Sequence, residues 1–292
     1  MKKALTIAGS DSGGCAGIQA DIKAMSSCGV FAMSVITAVT AQNTQTVTHI
    51  EELSEESIIA QIRAVYDDMA PDAVKTGMLF SAGIIDAVAD TLKEVNNVPL
   101  VVDPVMCSAS GAKLIKDDAI DTMINKLFPI ATLVTPNRME AELLTGIKIE
   151  SDEDIEMVCK KIYGMGVKNV LLKGGHFDSD EACDYLYDGS DIYEAVAPKI
   201  NTNNLHGTGC TFASAITAFL AQGMNLEESV GKAKEYITYA IMAGAHLQIG
   251  SGSGPVNHFY NYVKDQQSGG GCCGGGGGHG RHKQDGGCGC GH

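Results

Sequence analysis

Residues 4–28, ALTIAGSDSGGCAGIQADIKAMSSC, combine an apolar run, a glycine-rich segment and an amphipathic run. This order predicts a strand over Ala4–Ala8, a loop over Gly9–Gly17 and a helix over Gly17–Cys28. The loop is not a P-loop, because Cys15-Ala16 stand where Lys and Ser or Thr are required, and it also lacks the spacing of a dinucleotide-binding loop. We therefore expect a loop that lets a ligand approach the backbone at the carboxyl end of a strand; a plain glycine-rich turn is the alternative.

The alternation of strand and helix patterns continues along the chain. Most apolar runs are continuous, which is typical of parallel strands covered on both faces. Further strands are predicted at Val30–Thr37, Asp72–Thr76, Leu100–Asp103, Ala131–Val134 and Asn169–Lys173, and a hairpin with an Asp-Gly turn at Asp184–Tyr187 and Ile192–Ala197. Further helices are predicted at Glu55–Met69, Ala82–Val95, Asp117–Leu127, Asn137–Leu144, Asp152–Gly164 and Leu226–Gln248. The pattern predicts an α/β fold, a three-layer α/β/α sandwich with a mainly parallel sheet.

Composition limits the location and the partners of the chain. Its 292 residues are 45% hydrophobic, so the chain can bury a large core. Its formal net charge is −14, and it lacks the clustered basic residues that bind nucleic acids and anionic membranes. The N-terminus MKKALTIAGS does not fit a signal peptide, and no window approaches the roughly 18 apolar residues of a membrane span. Irregularly spaced cysteines in the body are typical of a reduced, cytosolic protein. We expect a cytoplasmic protein that binds neither nucleic acid nor membrane.

A second glycine motif, His206-Gly207-Thr208-Gly209-Cys210, precedes an apolar helical run. Glycines at alternate positions expose backbone N–H groups, and the start of a helix adds positive potential, so the motif predicts an anion hole suited to a transferring phosphoryl group. Cys210 lies in the first helical turn, where we expect the pKa of a thiol to be lowered. A helix cap with a buried cysteine is the alternative.

Residues 266–292 differ in kind from residues 1–265. Thirteen of these 27 residues are glycine, so the segment cannot form a packed core and is expected to be disordered, with a domain boundary at its start. Its thiols and imidazoles predict a site for Zn²⁺ or Cu⁺: Cys272, Cys273, Cys288, Cys290, His279, His282 and His292. Their spacing is not that of a zinc finger, and a neutral linker is the alternative.

Eight segments, in order, resemble the hydroxymethylpyrimidine/phosphomethylpyrimidine kinase family of ribokinase-like enzymes. They are AGSDSGGCAGIQADIKA (8–24), TAVTAQNTQTV (37–47), AVKTGML (73–79), VVDPVM (101–106), LVTPNRMEAELLTG (133–146), LLKGGH (171–176), HGTGCTFASAI (206–216) and GPVNHF (254–259). The resemblance does not cover the tail. It implies a ribokinase-like fold without a large separate lid domain.

The resemblance implies a pyrimidine pocket. Gln42 is expected to hydrogen-bond the edge of the ring, since an amide offers donors and an acceptor. Asp21, Met78 and Gly9 are expected to line the same pocket, with Met78 as an apolar wall. On pattern alone, Met78 would be ordinary core and Asp21 would be an acid favoured by the helix dipole.

The resemblance also implies phosphoryl-transfer residues. Cys210 matches the catalytic base, and Gly207, Thr208 and Gly209 match the anion hole. Lys173, at the end of a strand, is expected to reach the phosphates of ATP.

Three polar residues are expected near the metal. Asn137 and Glu140 match an N-x-x-E pattern that helps to bind Mg²⁺ and its waters, and their i, i+3 spacing places them on one helix face. Asp103, at the carboxyl end of its strand, is expected near the metal or the reacting centre.

The implied activity is ATP-dependent phosphorylation of 4-amino-5-hydroxymethyl-2-methylpyrimidine, and then of its monophosphate, in thiamine biosynthesis by a homodimer. Pyridoxal kinase is one alternative, because relatives with the same cysteine motif phosphorylate that similarly shaped heterocycle. A metal-binding protein that acts through its tail is an alternative of another class, but the intact GTGC, NxxE and KGGH elements argue against an inactive scaffold.

The chain departs from the family pattern in two places. Gly250–Pro255 reads GSGSGP, where the family often carries histidines between the glycines. Cys107 follows Asp-Pro-Val-Met, where an aliphatic residue is common; a spare buried cysteine is the favoured interpretation, and a reactive loop thiol is the alternative.

Overall fold

A nine-stranded sheet lies at the centre of the computed structural model, which describes residues 1–107, 114–116, 118–174 and 180–262. Within these residues the strands are β1 (Lys3–Asp11), β2 (Phe31–Gln42), β3 (Val47–Glu52), β4 (Ala73–Thr76), β5 (Leu100–Val102), β6 (Leu133–Val134), β7 (Val170–Leu172), β8 (Glu181–Tyr187) and β9 (Ile192–Pro198). Their order is β3-β2-β1-β4-β5-β6-β7-β8-β9. The six strands from β2 to β7 are parallel, and β3, β8 and β9 pair antiparallel at the two edges. The prediction of a mainly parallel sheet is confirmed.

The helices connect the strands and cover both faces of the sheet. They are α1 (Gly17–Ser27), α2 (Glu55–Met69), α3 (Ala82–Val95), α4 (Ala119–Thr122), α5 (Arg138–Thr145), α6 (Asp152–Tyr163), α7 (Thr208–Ala221) and α8 (Leu226–Gly244). Side chains cap the N-termini of four of them: Ser54 for α2, Asn137 for α5, Ser151 for α6 and Asn225 for α8. Each cap satisfies an N–H group that has no partner within the helix.

The core has two apolar layers, one on each face of the sheet. In β1, Leu5 and Ile7 pack in one layer with α2, α3 and α6, whereas Ala4 packs in the other with α1, α7 and α8. All three side chains are fully buried, because alternate residues of a strand point to opposite faces and both faces are covered. The predicted three-layer arrangement is therefore confirmed.

Two helix predictions were wrong in part, and one strand was missed. The antiparallel edge strand β3 was not predicted. The predicted helix Asp117–Leu127 is a short α4 followed by a π-helical turn at Met123–Leu127, and its first residue lies outside the described residues. The last helix ends at Gly244 rather than Gln248.

Met1–Tyr260 form one compact unit; of the second, 261–292, only Asn261 and Tyr262 are described. None of the helices in the described part of the chain combines the length and the apolarity needed to cross a membrane.

Candidate active site

A cavity of about 1020 Å³ opens at the carboxyl ends of the parallel strands. Its walls come from the segments that follow five neighbouring strands, with Gly9 from β1, Met78 after β4, Asp103 after β5, Asn137 after β6 and Lys173 after β7. The start of α7 closes the cavity from another side. Ligands of open α/β sheets bind at this edge, so the topology brings together residues that lie far apart in the sequence.

The glycine-rich loop between β1 and α1 is held by Asp11. Its carboxylate accepts N–H groups from Gly13, Cys15 and Ala16 at 2.8–2.9 Å. These donors are therefore occupied within the protein, and the loop contributes its shape, rather than free N–H groups, to the cavity wall.

The start of α7 carries the residues of the predicted anion hole. Gly207 has a φ of +80°, and a Cβ at this position would overlap the carbonyl oxygen of Cys15, so only glycine allows the loop and the helix start to meet. Gly209 and Cys210 belong to the first turn, where N–H groups lack partners within the helix. The N–H of Thr208 donates to the Leu205 carbonyl at 3.2 Å, which leaves fewer donors for an anion than the motif predicted.

Cys210 lies half-buried in the cavity wall. Burial raises the pKa of its thiol to about 12, and the carboxylates of Asp21 and Asp103 also raise it, whereas Lys75 and the Gly17 N–H lower it. The expectation of a lowered thiol pKa at this helix start is therefore wrong, because burial outweighs the groups that favour a thiolate.

Lys173 and Asp103 form an ion pair beside the anion hole. The Lys173 Nζ donates to Asp103 Oδ1 at 2.8 Å, and a Cβ on Gly209 would lie 3.2 Å from the same nitrogen. Although burial opposes the shift, Lys173 and Lys75 lower the pKa of Asp103. The structure thus brings an ammonium group to the start of α7, as the sequence predicted.

Asn137 and Glu140 form a capping box at the start of α5. Asn137 Oδ1 accepts the Glu140 N–H at 2.9 Å, and Glu140 Oε2 accepts the Asn137 N–H at 2.8 Å. Burial raises the pKa of Glu140 to about 7, with Lys173 lowering it and Asp103 raising it. The N-x-x-E pattern therefore has a structural role that is independent of any ligand.

The same acidic groups fit Mg²⁺. When ionised, Asp103 and Glu140 carry one negative charge more than Lys173 balances, and both carboxylates line the cavity. Within the described residues, no three His, Cys, Asp or Glu side chains cluster as metal ligands. A site with one or two carboxylates, completed by water and phosphate oxygens, is the usual way in which proteins hold Mg²⁺ with a nucleotide.

Gln42, Met78 and Gly9 line a second part of the cavity. The amide Nε2 of Gln42 lies 2.9 Å from His206 Nε2; because an amide nitrogen only donates, that imidazole nitrogen accepts. Burial lowers the pKa of His206, which favours this neutral form. Met78 is buried, and a methyl group on Gly9 would lie 3.3 Å from its sulfur.

Asp21 does not line the cavity, which corrects the expectation from the resemblance. Its side chain is fully buried, and its carboxylate accepts two hydrogen bonds from Lys75 Nζ at 2.8 and 2.9 Å. The pairing holds the carboxylate between α1 and the sheet, behind the cavity wall.

Among the residues that line the cavity, the sequence analysis assigned no individual role to Asp11, Lys75 and His206. A lysine inside the apolar run of β4 was the available signal for Lys75, because a buried cation requires a partner. Cys107 is exposed at the cavity, so the favoured interpretation of a buried cysteine is wrong. The tail residues proposed for metal binding lie outside the described residues.

Known proteins resemble this chain in sequence. The sequence model of the phosphomethylpyrimidine kinase family matches residues 11–257. A hydroxymethylpyrimidine/phosphomethylpyrimidine kinase of Rhizobium meliloti is 48% identical over 90% of this chain and 98% of its own length. The thiamine biosynthesis bifunctional protein ThiED of Geobacter sulfurreducens is 49% identical over 87% of this chain, which spans 51% of that longer protein.

Two solved structures resemble the fold. A phosphomethylpyrimidine kinase of Clostridium difficile is 46% identical, with a TM-score of 0.73 over 82% of this chain and all of that one. A pyridoxal kinase of Staphylococcus aureus, in complex with AMP-PCP and pyridoxal, is 35% identical, with a TM-score of 0.82 over 90% of this chain and 96% of that one. The predicted ribokinase-like fold, with no separate lid evident in the described residues, is confirmed. The family model and the identities agree with the eight segments found in the sequence, and the chain therefore belongs to the phosphomethylpyrimidine kinase family.

Proposed function

We propose that this kinase transfers the γ-phosphoryl group of ATP to the hydroxymethyl group of 4-amino-5-hydroxymethyl-2-methylpyrimidine, and then phosphorylates the monophosphate to the diphosphate used in thiamine biosynthesis. The observation that carries the proposal is that Gln42, the Gly207–Cys210 helix start and Lys173 share one cavity. An amide that can recognise a pyrimidine edge thus lies in the same space as an anion hole.

The pyrimidine is recognised by Gln42. Its amide can donate to a ring nitrogen and accept from the 4-amino group, and the contact with His206 fixes the orientation of the amide. Met78 provides an apolar surface for the ring. Gly9 lets the backbone of the first loop approach it.

In the transfer, a bond forms between the hydroxymethyl oxygen and the γ-phosphorus, the bond from that phosphorus to its bridging oxygen breaks, and ADP leaves. The hydroxyl proton passes to the sulfur of Cys210 in its minor thiolate form, since burial raises the pKa of the thiol to about 12 and the Lys75 charge favours the thiolate. The N–H groups at the start of α7 and the ammonium of Lys173 stabilise charge on the phosphoryl oxygens, which is the main requirement of phosphoryl transfer.

Mg²⁺ would be held by Asp103 and, through water, by Glu140, with Asn137 orienting Glu140 through the capping box. When bound, the ion neutralises negative charge on the phosphates of ATP. Lys173 pairs with Asp103 and also interacts with Glu140, so its ammonium group offsets part of the charge of the two carboxylates.

A second candidate acceptor is pyridoxal. It is favoured by the similarity to the pyridoxal kinase of Staphylococcus aureus and by Cys210 in the cavity wall. Gln42 favours the aminopyrimidine instead, because the 4-amino group and a ring nitrogen match both ends of the amide.

The test measures ATP consumption by the intact protein with hydroxymethylpyrimidine, its monophosphate and pyridoxal side by side. We expect the highest kcat/KM with the two pyrimidines. Turnover of pyridoxal alone would contradict the proposal and select the second candidate.

We also propose that the chain acts as a cytoplasmic homodimer and that the tail thiols and imidazoles bind Zn²⁺ or Cu⁺. Light scattering of the intact protein tests the dimer. Metal titrations of the intact chain and of a variant lacking 266–292 test the tail, and we expect at least one thiol-dependent site to be lost. Identical titrations would make the tail a plain linker.

A further inference from the structure

Lys75 is a fully buried lysine in β4 that pairs with Asp21 of α1. The Asp21 carboxylate also accepts the hydroxyl groups of Thr6 at 2.6 Å and Ser214 at 2.7 Å. Such a pair contributes little net stability, because removing two charges from water costs about as much as their attraction returns. A buried ion pair whose carboxylate accepts four hydrogen bonds, next to a cavity, is instead suited to a functional role, because perturbed charges cluster at functional sites.

The pair reaches the cavity through α7. Cys210 and Ser214 lie four residues apart and thus on one face of this helix, and Ser214 hydrogen-bonds Asp21. Lys75 itself belongs to the cavity wall. A Cβ on Gly77 would lie 2.9 Å from the Lys75 Nζ, so the glycine leaves the space that the ammonium group occupies.

Four charged groups act on the Cys210 thiol. Asp21 and Asp103 oppose a negative charge on its sulfur, and Lys75 favours one, as does the Gly17 N–H. The Lys173 ammonium also interacts with this thiol. Although burial opposes it, Asp21 raises the pKa of Lys75, and Cys210 and Asp103 raise it further. Lys75 therefore stays protonated and supplies a permanent positive charge.

We propose that Lys75 is a positioning residue for phosphoryl transfer: Asp21 fixes its ammonium group beneath Cys210 and the start of α7, where it stabilises the negative charge that arises during the reaction. A fixed charge in a water-excluded site acts strongly and needs no reorganisation. The inference rests on the proposed phosphoryl transfer but not on which heterocycle accepts the phosphoryl group.

The test removes both charges together. Replacing only Lys75 or only Asp21 would leave an uncompensated buried charge. The double variant Lys75→Met with Asp21→Asn nearly keeps the volume of both side chains and neutralises the pair. We expect kcat to fall about 10- to 100-fold, near the lower end of the loss for one oxyanion-hole donor, while KM for ATP and for the acceptor changes less than about threefold. Ser214→Ala is the matched control, since it removes a hydrogen bond to Asp21 but keeps both charges.

A second readout does not depend on kinase activity. The alkylation rate of Cys210 by iodoacetamide at pH 8.5, followed by mass spectrometry of its peptide, reports the thiolate fraction. It should fall in the double variant, because the lost Lys75 charge affects the thiol more than the lost Asp21 charge does. If no acceptor is turned over, this rate still tests the contact between Lys75 and Cys210. A folded double variant with wild-type kcat and alkylation rate would overturn the proposal. If it does not melt cooperatively, Lys75→Gln with Asp21→Asn, which keeps polar groups in the cluster, is measured in the same two assays.

Discussion

Gln42 is the residue that best distinguishes pyrimidine recognition from nucleotide binding. Gln42→Ala leaves polar atoms of the pyrimidine unpaired in the cavity, which costs about 1–3 kcal/mol. We therefore expect pyrimidine binding to weaken roughly 10- to 100-fold, with ATP binding nearly unchanged. Calorimetric titration of each ligand measures both. Gln222→Ala is the control, because Gln222 bonds the Cys28 carbonyl and does not line the cavity; equal losses for pyrimidine and ATP in Gln42→Ala would contradict the assignment.

The role of Cys210 as a proton acceptor can be tested by comparing the two phosphorylation steps. In the first step the acceptor is an alcohol that must lose its proton, whereas in the second it is a phosphate monoester that is largely ionised at neutral pH, since its second pKa is about 6. If Cys210 accepts the proton, Cys210→Ala slows the first step by roughly 10²–10⁴-fold and the second much less, and we expect this difference. Single-turnover rates at saturating ATP and Mg²⁺ measure it. Equal losses would leave Cys210 as part of the phosphoryl cradle.

Single residues show where sequence reasoning was sufficient and where it was not. Glycines before an apolar helix predicted where α7 begins, because their backbone chemistry is local. The thiol pKa of Cys210 depends on burial and on two carboxylates from other elements, and no local pattern contains that information. The resemblance to the kinase family predicted that Asp21 lines the pocket, but the hydrogen bonds from Lys75 hold its carboxylate behind the cavity wall.

At the scale of elements, the central parallel strands were predictable because their runs are continuous and apolar. The edge strand β3, VTHIEE, has no fully buried residue, so it lacks the apolar signal that identified the others. The π-helical turn at Met123–Leu127 depends on packing against α3, which a helical periodicity does not encode.

The segment Gly250–Gly254 links two parts of the site. The Gly252 N–H donates to Thr44 Oγ1 at 3.2 Å and the Ser253 N–H donates to the Thr44 carbonyl at 3.1 Å, just beyond Gln42. At its other end, the Gly254 carbonyl accepts the His206 N–H at 3.1 Å. This segment therefore joins the turn that carries Gln42 to the approach to the anion hole.

Gly252→Ala tests this link. A Cβ at Gly252 would overlap the Thr44 carbonyl oxygen, so the segment and the turn must separate, at a cost of about 1–3 kcal/mol. We expect a lower Tm and a KM for the pyrimidine raised about tenfold, with KM for ATP changed much less. Gly231→Ala in α8 is the control, because a Cβ there meets open space and should stabilise the helix. A Gly252→Ala enzyme with wild-type KM values would show that the link does not position Gln42.

At the scale of the molecule, one rule explains most of the site. Parallel strands end at a common edge, so residues near the end of β1 and just after β4, β5, β6 and β7 meet there although 9 and 173 are far apart in sequence. The sequence therefore predicted several of the strand ends that line the cavity. It did not predict the layer between the sheet and α7, where Lys75, Asp21 and Ser214 meet, because that contact depends on how helices pack on the sheet.

The stability of the whole molecule should depend on pH through His258. This side chain is 3% exposed, and its Nε2 lies 2.9 Å from the Thr211 hydroxyl. Burial, with a smaller contribution from Lys23, lowers the pKa of His258 to about 4. The folded state therefore takes up this proton only near pH 4, whereas the unfolded chain takes it up near its ordinary pKa of about 6.5.

As pH falls through this window, the unfolded state binds more protons than the folded state, so the free energy of unfolding must fall. The free energy of unfolding that is lost through His258 is fully lost below the folded-state pKa. It amounts to roughly 3 kcal/mol, because each unit of difference between the unfolded-state and folded-state pKa corresponds to about 1.36 kcal/mol. Above pH 7 the contribution of His258 to stability should not change.

Urea unfolding of wild type and His258→Gln between pH 7 and pH 4.5 measures this contribution, and the stability of the variant should fall less steeply as the pH is lowered. His49→Gln, which removes an exposed imidazole, is the control. Parallel pH profiles for wild type and His258→Gln would mean that the buried imidazole is accommodated in its charged form, and the contact with Thr211 would then have to rearrange on protonation.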